Sequence, residues 1–234
     1  MDPSGPLENA RVAAAALQAR QTLQHVGSNV TIVGVGDDAR IVGGSLRIRD
    51  SYNVIVRNLT VSDAYDCFPD WAPGDSGGTW NSAYDNVSVW ASTSVWVDHN
   101  TFDDGEHTIA ALGTVYGAPW EIHDGLLDIT HSSDLVTVSY NQFIGHDKTM
   151  LIGSGDNRPQ DAGQHRVTLH HNHWDGIGQR APRVRYGDVH VYNNLYEEAD
   201  PQTQVTLQYF WGVGDNSSIA AENNAVTLLP GTSP

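Results

Sequence analysis

Three aspartates and a handful of basic residues carry the types and spacings from which chemistry could be built. Asp85 in NSAYDNVSVW, and Asp124 and Asp128 in HDGLLDIT, each sit beside a short β-type run. Asp124 and Asp128 are four apart, which on a straight strand puts both side chains on one face, where they can share a hard cation. Oxygen-only ligation suits Ca²⁺, with waters and further carboxylates completing its shell. A solvated acidic edge accounts for the same pair, and Asp85 joins it only if a neighbouring stretch of chain lies alongside. On the basic side, Lys148 lies in HDKTMLIG, and Arg180, Arg183 and Arg185 lie in GQRAPRVRYG. Arg183 and Arg185 share a face if this is a strand, whereas Arg180, shortly before Pro182, belongs to a turn. Such a group suits anions, because a guanidinium meets a carboxylate with two hydrogen bonds. The alternative is structural pairing with some of the 28 acidic residues.

Other chemistries find less support. There are 11 histidines, but His170, His171 and His173 in LHHNHW lack the H-x-x-x-H spacing of a helical zinc site, and successive strand residues face opposite ways. Asp98 and His99 in VWVDHN come with no G-x-S-x-G elbow and no paired cysteine, so hydrogen bonding between neighbouring segments is the better assignment. The single cysteine, Cys67, excludes an intrachain disulfide and a Cys-rich metal site. Its aromatic surroundings, Asp66 to Trp71, predict a buried, inert thiol. Of the seven tryptophans, those in long loops could stack on sugar rings, while more are expected in the core.

The formal net charge of −16 argues against a nucleic-acid or anionic-membrane partner, since a phosphate surface must be met by excess positive charge. A protein this acidic meets an acidic polymer only where a metal ion or a cluster of its 12 basic residues reverses the sign locally. No apolar run is long enough to cross a membrane. Residues 2–9, DPSGPLEN, have neither a positive start nor an apolar core, which fits either a cytoplasmic protein or a mature secreted chain.

These residues must be positioned by elements that are almost all β. Residues 8–24, ENARVAAAALQARQTLQ, are predicted as the one helix, with Pro6 before it and Gly27 after it. From residue 29 the chain becomes short alternating runs separated by Gly, Asn, Asp and Ser, from NVTIVG at 29 to QVTLQYF at 204. The segments VIVRN, VWVDHN, VTVSYN, VTLHHN and VHVYNN each end in an asparagine: Asn58, Asn100, Asn141, Asn172 and Asn194. Successive intervals are 42, 41, 31 and 22 residues. Coils of roughly two dozen residues, lengthened by loops, would stack these asparagines along one axis, as in a right-handed parallel β-helix. A sandwich or propeller needs a series of tight hairpins, which is missing. The expected architecture is therefore an all-β, right-handed parallel β-helix with an N-terminal capping α-helix. It should form one domain over 1–234, with coils at about 29–229.

The same segments resemble polysaccharide lyase family 1, the pectate lyases, most closely the secreted actinobacterial type. The likeness rests on NVIVRNLTV at 53–61, YDNV at 84–87, VWVDHNTFDDG at 95–105, HDGLLDI at 123–129, VTVSYNQFIGHDKTMLIG at 136–153 and RVTLHHNHWDGIGQRAPRVRYGDVHVYNN at 166–194. The resemblance implies a calcium-dependent parallel β-helix that depolymerises α-1,4-linked polygalacturonate to 4,5-unsaturated products. It implies Asp85, Asp124 and Asp128 as calcium ligands, Arg180 as the Brønsted base, and Lys148 and Arg185 as binders of substrate carboxylates. Ala83 stands where some relatives carry a further acid. The chain is shorter than many relatives, and its lone cysteine replaces their paired ones.

That chemistry agrees with the residue inventory. The C5 proton of a uronate is alpha to a carboxylate, and calcium with Lys148 and Arg185 would stabilise the charge left by its removal. A neutral sugar offers no such electron sink. Arginine normally stays protonated, so neighbouring cations and alkaline pH would have to favour the neutral base. A monomer acting on pectate is expected. The alternatives are a pectin lyase acting on methylated polymer, a hydrolase with opposed carboxylates, and a non-catalytic pectate-binding β-helix.

Overall fold

The computed structural model describes residues 2–75, 77–108, 113–200 and 205–232. Three seven-stranded parallel sheets wind along one axis. The first takes strands Leu23–Val26, Ser45–Arg49, Val87–Trp90, Leu127–Thr130, Leu151–Ile152, Arg183–Val184 and Gly212–Val213 in that order. The second runs from Val30–Val33 to Ser218–Glu222, and the third from Arg40–Val42 to Ala225–Thr227. Each coil contributes one short strand to each sheet, as the all-β parallel β-helix reading requires.

Alternation decides what points inward. Along the second sheet, Val54, Val95, Val136, Val167 and Val189 stack in register, as do Val56, Val97, Val138, Leu169 and Val191, all buried. The third sheet contributes Phe102, Phe143, Trp174 and Tyr196, whose rings stack at 5.2, 4.3 and 5.7 Å. β-Branched and aromatic side chains suit this pleated, close-stacked interior.

At the corner between the second and third sheets the asparagines form a ladder. Asn141 Oδ1 accepts from both Asn100 N and Nδ2, at 2.9 and 3.0 Å, and Asn141 Nδ2 donates to Val97 O at 2.9 Å. Asn172 and Asn194 repeat the pattern, and Asn224 ends it. Asn58 does not belong to it. Its strand pairs Arg57 with Asp98, so Asn58 falls level with His99, and Leu59 takes the ladder position. Asn58 instead occupies the left-handed corner (φ 56°), as do His99, Tyr140, His171 and Asn193. Asparagine suits that region too, which is why the repeat read one residue out of register.

Other expectations shift at the edges. The helix is Pro6–Thr22, because Leu23–Val26 joins the first sheet against Ser45–Ile48. Gln18 ties the helix down by donating to Tyr65 O (2.7 Å) and accepting from Cys67 N (3.0 Å), and Arg11 donates to Phe68 O (2.7 Å). Cys67, in that loop, is exposed rather than buried. Residues 205–209 of the QVTLQYF run form no strand, and Gln204 lies outside the described residues.

Replacing Asn141 by alanine strands the Asn100 donors and the Val97 carbonyl in the interior. It should cost about 3 kcal/mol in urea unfolding, whereas Asn58→Gly at the corner should cost under about 1 kcal/mol. Equal losses would mean that the ladder is not the stabilising feature.

Candidate active site

Asp85, Asp124, Asp128, Lys148 and Arg180 come together on successive rungs at one edge of the first sheet, while Arg185 lies past the other end of its strand. Asp85 lies just before strand Val87–Trp90, and Asp128 lies on the next strand, paired with Ser88. Lys148 precedes Leu151–Ile152, while Arg180 precedes and Arg185 follows Arg183–Val184. Because the strands are parallel and in register, each coil enters the sheet from the same side, so residues leading into neighbouring strands form a row. Asp124 differs from expectation: it lies ahead of its strand rather than on it, and a bend at Leu126 lets its charge act on Asp128.

Backbone donors aim two of the carboxylates. Gly125 N–H donates to Asp85 Oδ1 and Leu151 N–H to Asp128 Oδ1, both at 2.9 Å. A Cβ on Gly125 would stand 2.7 Å from Asp128 Oδ1 and 3.0 Å from Asp85 Oδ1, so both carboxylates crowd one point and only glycine leaves them room. Asp124 is held through its backbone. Its N–H donates to Tyr84 O (3.1 Å), and its carbonyl accepts from His146 Nε2 (2.7 Å). His146 is buried, and its Nδ1 meets Asp104 at 2.8 Å. Burial works against a charge on this imidazole, but Asp104 and the Asp124 carbonyl outweigh it and raise its pKa. His146 and Asp104 were not identified from sequence, where only the HDK triplet hints at them.

The carboxylates repel one another in a dry setting. Burial, then the charges of Asp128 and Asp124, push Asp85 well above the usual carboxylate range. Burial, then Asp124, push Asp128 up to about 7. Burial also raises Asp124, against the pull of Lys148, Arg180 and His146. Three hard oxygen donors with mutual repulsion fit a divalent cation, which would offset both the burial and the repulsion of their charges.

Two of the basic residues are occupied. Lys148 Nζ donates to Glu121 Oε2 (2.7 Å) and lies 3.8 Å from Asp75 Oδ2. Burial pulls its pKa down, but Glu121 and the neighbouring carboxylates raise it overall. Arg185 pairs with Asp156. Arg180 is different: its backbone carbonyl accepts from Met150 N–H (2.7 Å), but its side chain makes no hydrogen bond or ion pair among the described residues, and its buried Nε is without a partner. A cavity of about 300 Å³ lined by Trp120, Glu121, Asp124, His146 and Lys148 opens beside this row. Trp120 of this lining continues into a cluster with Trp80 and Trp71 outside the cavity, with ring centres 5.7 and 5.3 Å apart. The other noted candidates are elsewhere: Asp98 accepts from Ser139 (2.6 Å) and meets His99 (2.7 Å), linking neighbouring coils of the second sheet.

Fold and site together define a class, the parallel β-helix with an acidic, cation-suited row flanked by basic side chains. The chain belongs to the pectate lyase family, whose profile, described as Pectate lyase, matches residues 6–230. It is 43% identical over 233 residues to a pectate lyase of Bacillus subtilis (strain 168), covering 99% of this chain and 55% of that protein. Among solved structures it is similar to the thermostable pectate lyase PL 47, with 49% identity, a TM-score of 0.92 and coverage of 96% of this chain and 54% of the other. A pectate lyase bound to hexasaccharide is 43% identical, with a TM-score of 0.94 and coverage of 100% and 58%. The chain thus spans about half the length of the relatives it matches.

A carboxylate whose folded pKa is raised supports the fold fully below its unfolded value, near 4, and loses that support as pH rises through about 7. In EDTA the melting temperature should therefore fall between about pH 4 and pH 7, and calcium should abolish the fall. Asp128→Asn should flatten the EDTA curve. An unchanged slope in that variant would remove Asp128 from the repelling group.

Proposed function

We propose that this chain performs calcium-dependent β-eliminative cleavage of α-1,4-polygalacturonate, endo-acting, to give 4,5-unsaturated oligogalacturonates. The observation that carries the reading is an unpartnered guanidinium, Arg180, next to three carboxylates that repel one another, Asp85 and Asp128 buried and Asp124 half-buried. Asp85, Asp124 and Asp128 would hold Ca²⁺, which when bound would bridge to uronate carboxylates and draw off their negative charge. Lys148 and Arg185 would exchange Glu121 and Asp156 for carboxylates of the polymer. Arg180, in its neutral form, would take the C5 proton; the bond from C4 to its glycosidic oxygen breaks, C4=C5 forms, and water protonates the leaving oxygen. A free imino nitrogen is needed for that step, so the rate should climb toward alkaline pH.

The reading keeps the secreted actinobacterial type that the motifs resemble, acting as a monomer on an extracellular polymer. Its acidic surface argues against nucleic acid or membrane as partners. No helix among the described residues is long and apolar enough to cross a membrane.

The test follows unsaturated uronate by ultraviolet absorbance on unesterified and highly methylated polymer, with calcium or EDTA. Activity should require calcium and favour the unesterified chain. Arg180→Ala should keep calcium-dependent binding while slowing elimination by about 10³-fold. Binding without product in the unmodified protein would leave a non-catalytic pectate-binding helix, and faster reaction on methylated polymer would make it a pectin lyase. Glu121→Gln should lower KM about threefold with kcat little changed, because it removes a competitor for Lys148.

A further inference from the structure

On the outer face of the third sheet, away from the row described above, three side chains form a second cluster. His173 and Asp175 are two apart on strand His173–Asp175, so they face the same way. Glu197, on the neighbouring strand Leu195–Glu197, is paired directly with Asp175. Trp174 and Tyr196, which alternate with them, are fully buried, confirming that the other three face outward. One ligand atom from each lies within 4.8 Å of the other two, and all three side chains are half-buried.

We propose that His173, Asp175 and Glu197 bind a divalent first-row transition-metal ion of the zinc class. One imidazole nitrogen and two carboxylate oxygens are a zinc donor set, with room for water to complete a tetrahedron. The imidazole makes it a poor calcium site, because calcium takes oxygen ligands. His173 Nε2 and Glu197 Oε2 stand 2.7 Å apart. Around an ion with bonds of about 2.0 Å they would be about 3.3 Å apart, so small side-chain rotations open the gap. The ion would displace the proton they share. The Asp175 carboxylate makes no hydrogen bond or ion pair among the described residues, its backbone carbonyl alone accepting from Gly145 N–H (2.9 Å), and among those residues no lysine or arginine pairs with any of the three, so the cluster's negative charge is left for a cation. Two paired strands fix the backbone of all three ligands, so little ordering is needed on binding.

The test is calorimetric titration of zinc chloride into the whole protein in excess calcium, which fills the acidic row, with the cobalt(II) visible spectrum as a second readout. The unmodified protein should take up one zinc per chain, and its cobalt complex should show the intense bands of four- or five-coordination. His173→Asn combined with Glu197→Gln should weaken zinc about 100-fold or more and lose those bands, with its melting temperature in calcium showing that it still folds. His170→Ala with His190→Ala, on the second sheet, should leave both readouts unchanged. The proposal is overturned if the unmodified protein takes up no zinc at millimolar concentration. It is equally overturned if zinc survives the His173/Glu197 change or is lost with His170 and His190.

Discussion

Each strand of a sheet hydrogen-bonds to the strand one coil away, about 4.8 Å along the axis, with its neighbour's residues directly level. That unbroken register turns sequence positions dozens of residues apart into adjacent points on a surface. Asp85, Asp128, Lys148 and Arg180 meet for this reason alone; no local loop brings them together. The same register lets the asparagine ladder pass hydrogen bonds from Asn100 to Asn224. A slip of one residue in any coil would break the ladder and send an aspartate to the opposite face of its sheet.

Against this stable frame the acidic row is a deliberate local conflict. Three carboxylates, two buried and one half-buried, share a corner that raises the pKa of each, while the valine and aromatic columns behind them hold the backbone rigid. Local destabilisation of this kind persists only where surrounding packing over-determines the geometry. Gly125 shows how narrow the tolerance is, since a single methyl group would collide with two of the acids. His146 and Asp104 extend the same logic beneath the surface, fixing a backbone carbonyl instead of a side chain.

Much of this was legible in the sequence because a β-helix writes its stacking as repetition. Alternating runs ending in Asn100, Asn141, Asn172 and Asn194 announce both strand and corner. What was misread had a physical cause in each case. Asn58 looked equivalent because asparagine serves equally in the left-handed corner and in the ladder. Leu23 and Gln24 extend a helical pattern but are claimed by a strand, as tertiary pairing overrides propensity. QVTLQYF alternates like a strand, yet Gln208 N bonds to Gly178 O and Phe210 O accepts from Ala181 N outside any strand. The aspartates four apart do converge, although through a bend instead of a shared strand face. The partners of the basic residues, Glu121 for Lys148 and Asp156 for Arg185, lie 27 and 29 residues away and left no mark in the spacing.

Those two resident carboxylates have a consequence for selectivity. In the proposed reading an arriving polymer trades one anion for another at Lys148 and at Arg185, so the count of ion pairs in the cleft is the same before and after. Net attraction then cannot come from charge pairing at these points. It must arise where the internal acids have no counterpart to offer, at the guanidinium of Arg180 and at the cation between the aspartates. A neutral glycan would have to evict two bound acids with nothing to replace them, and the free protein therefore discriminates against it before any bond is broken.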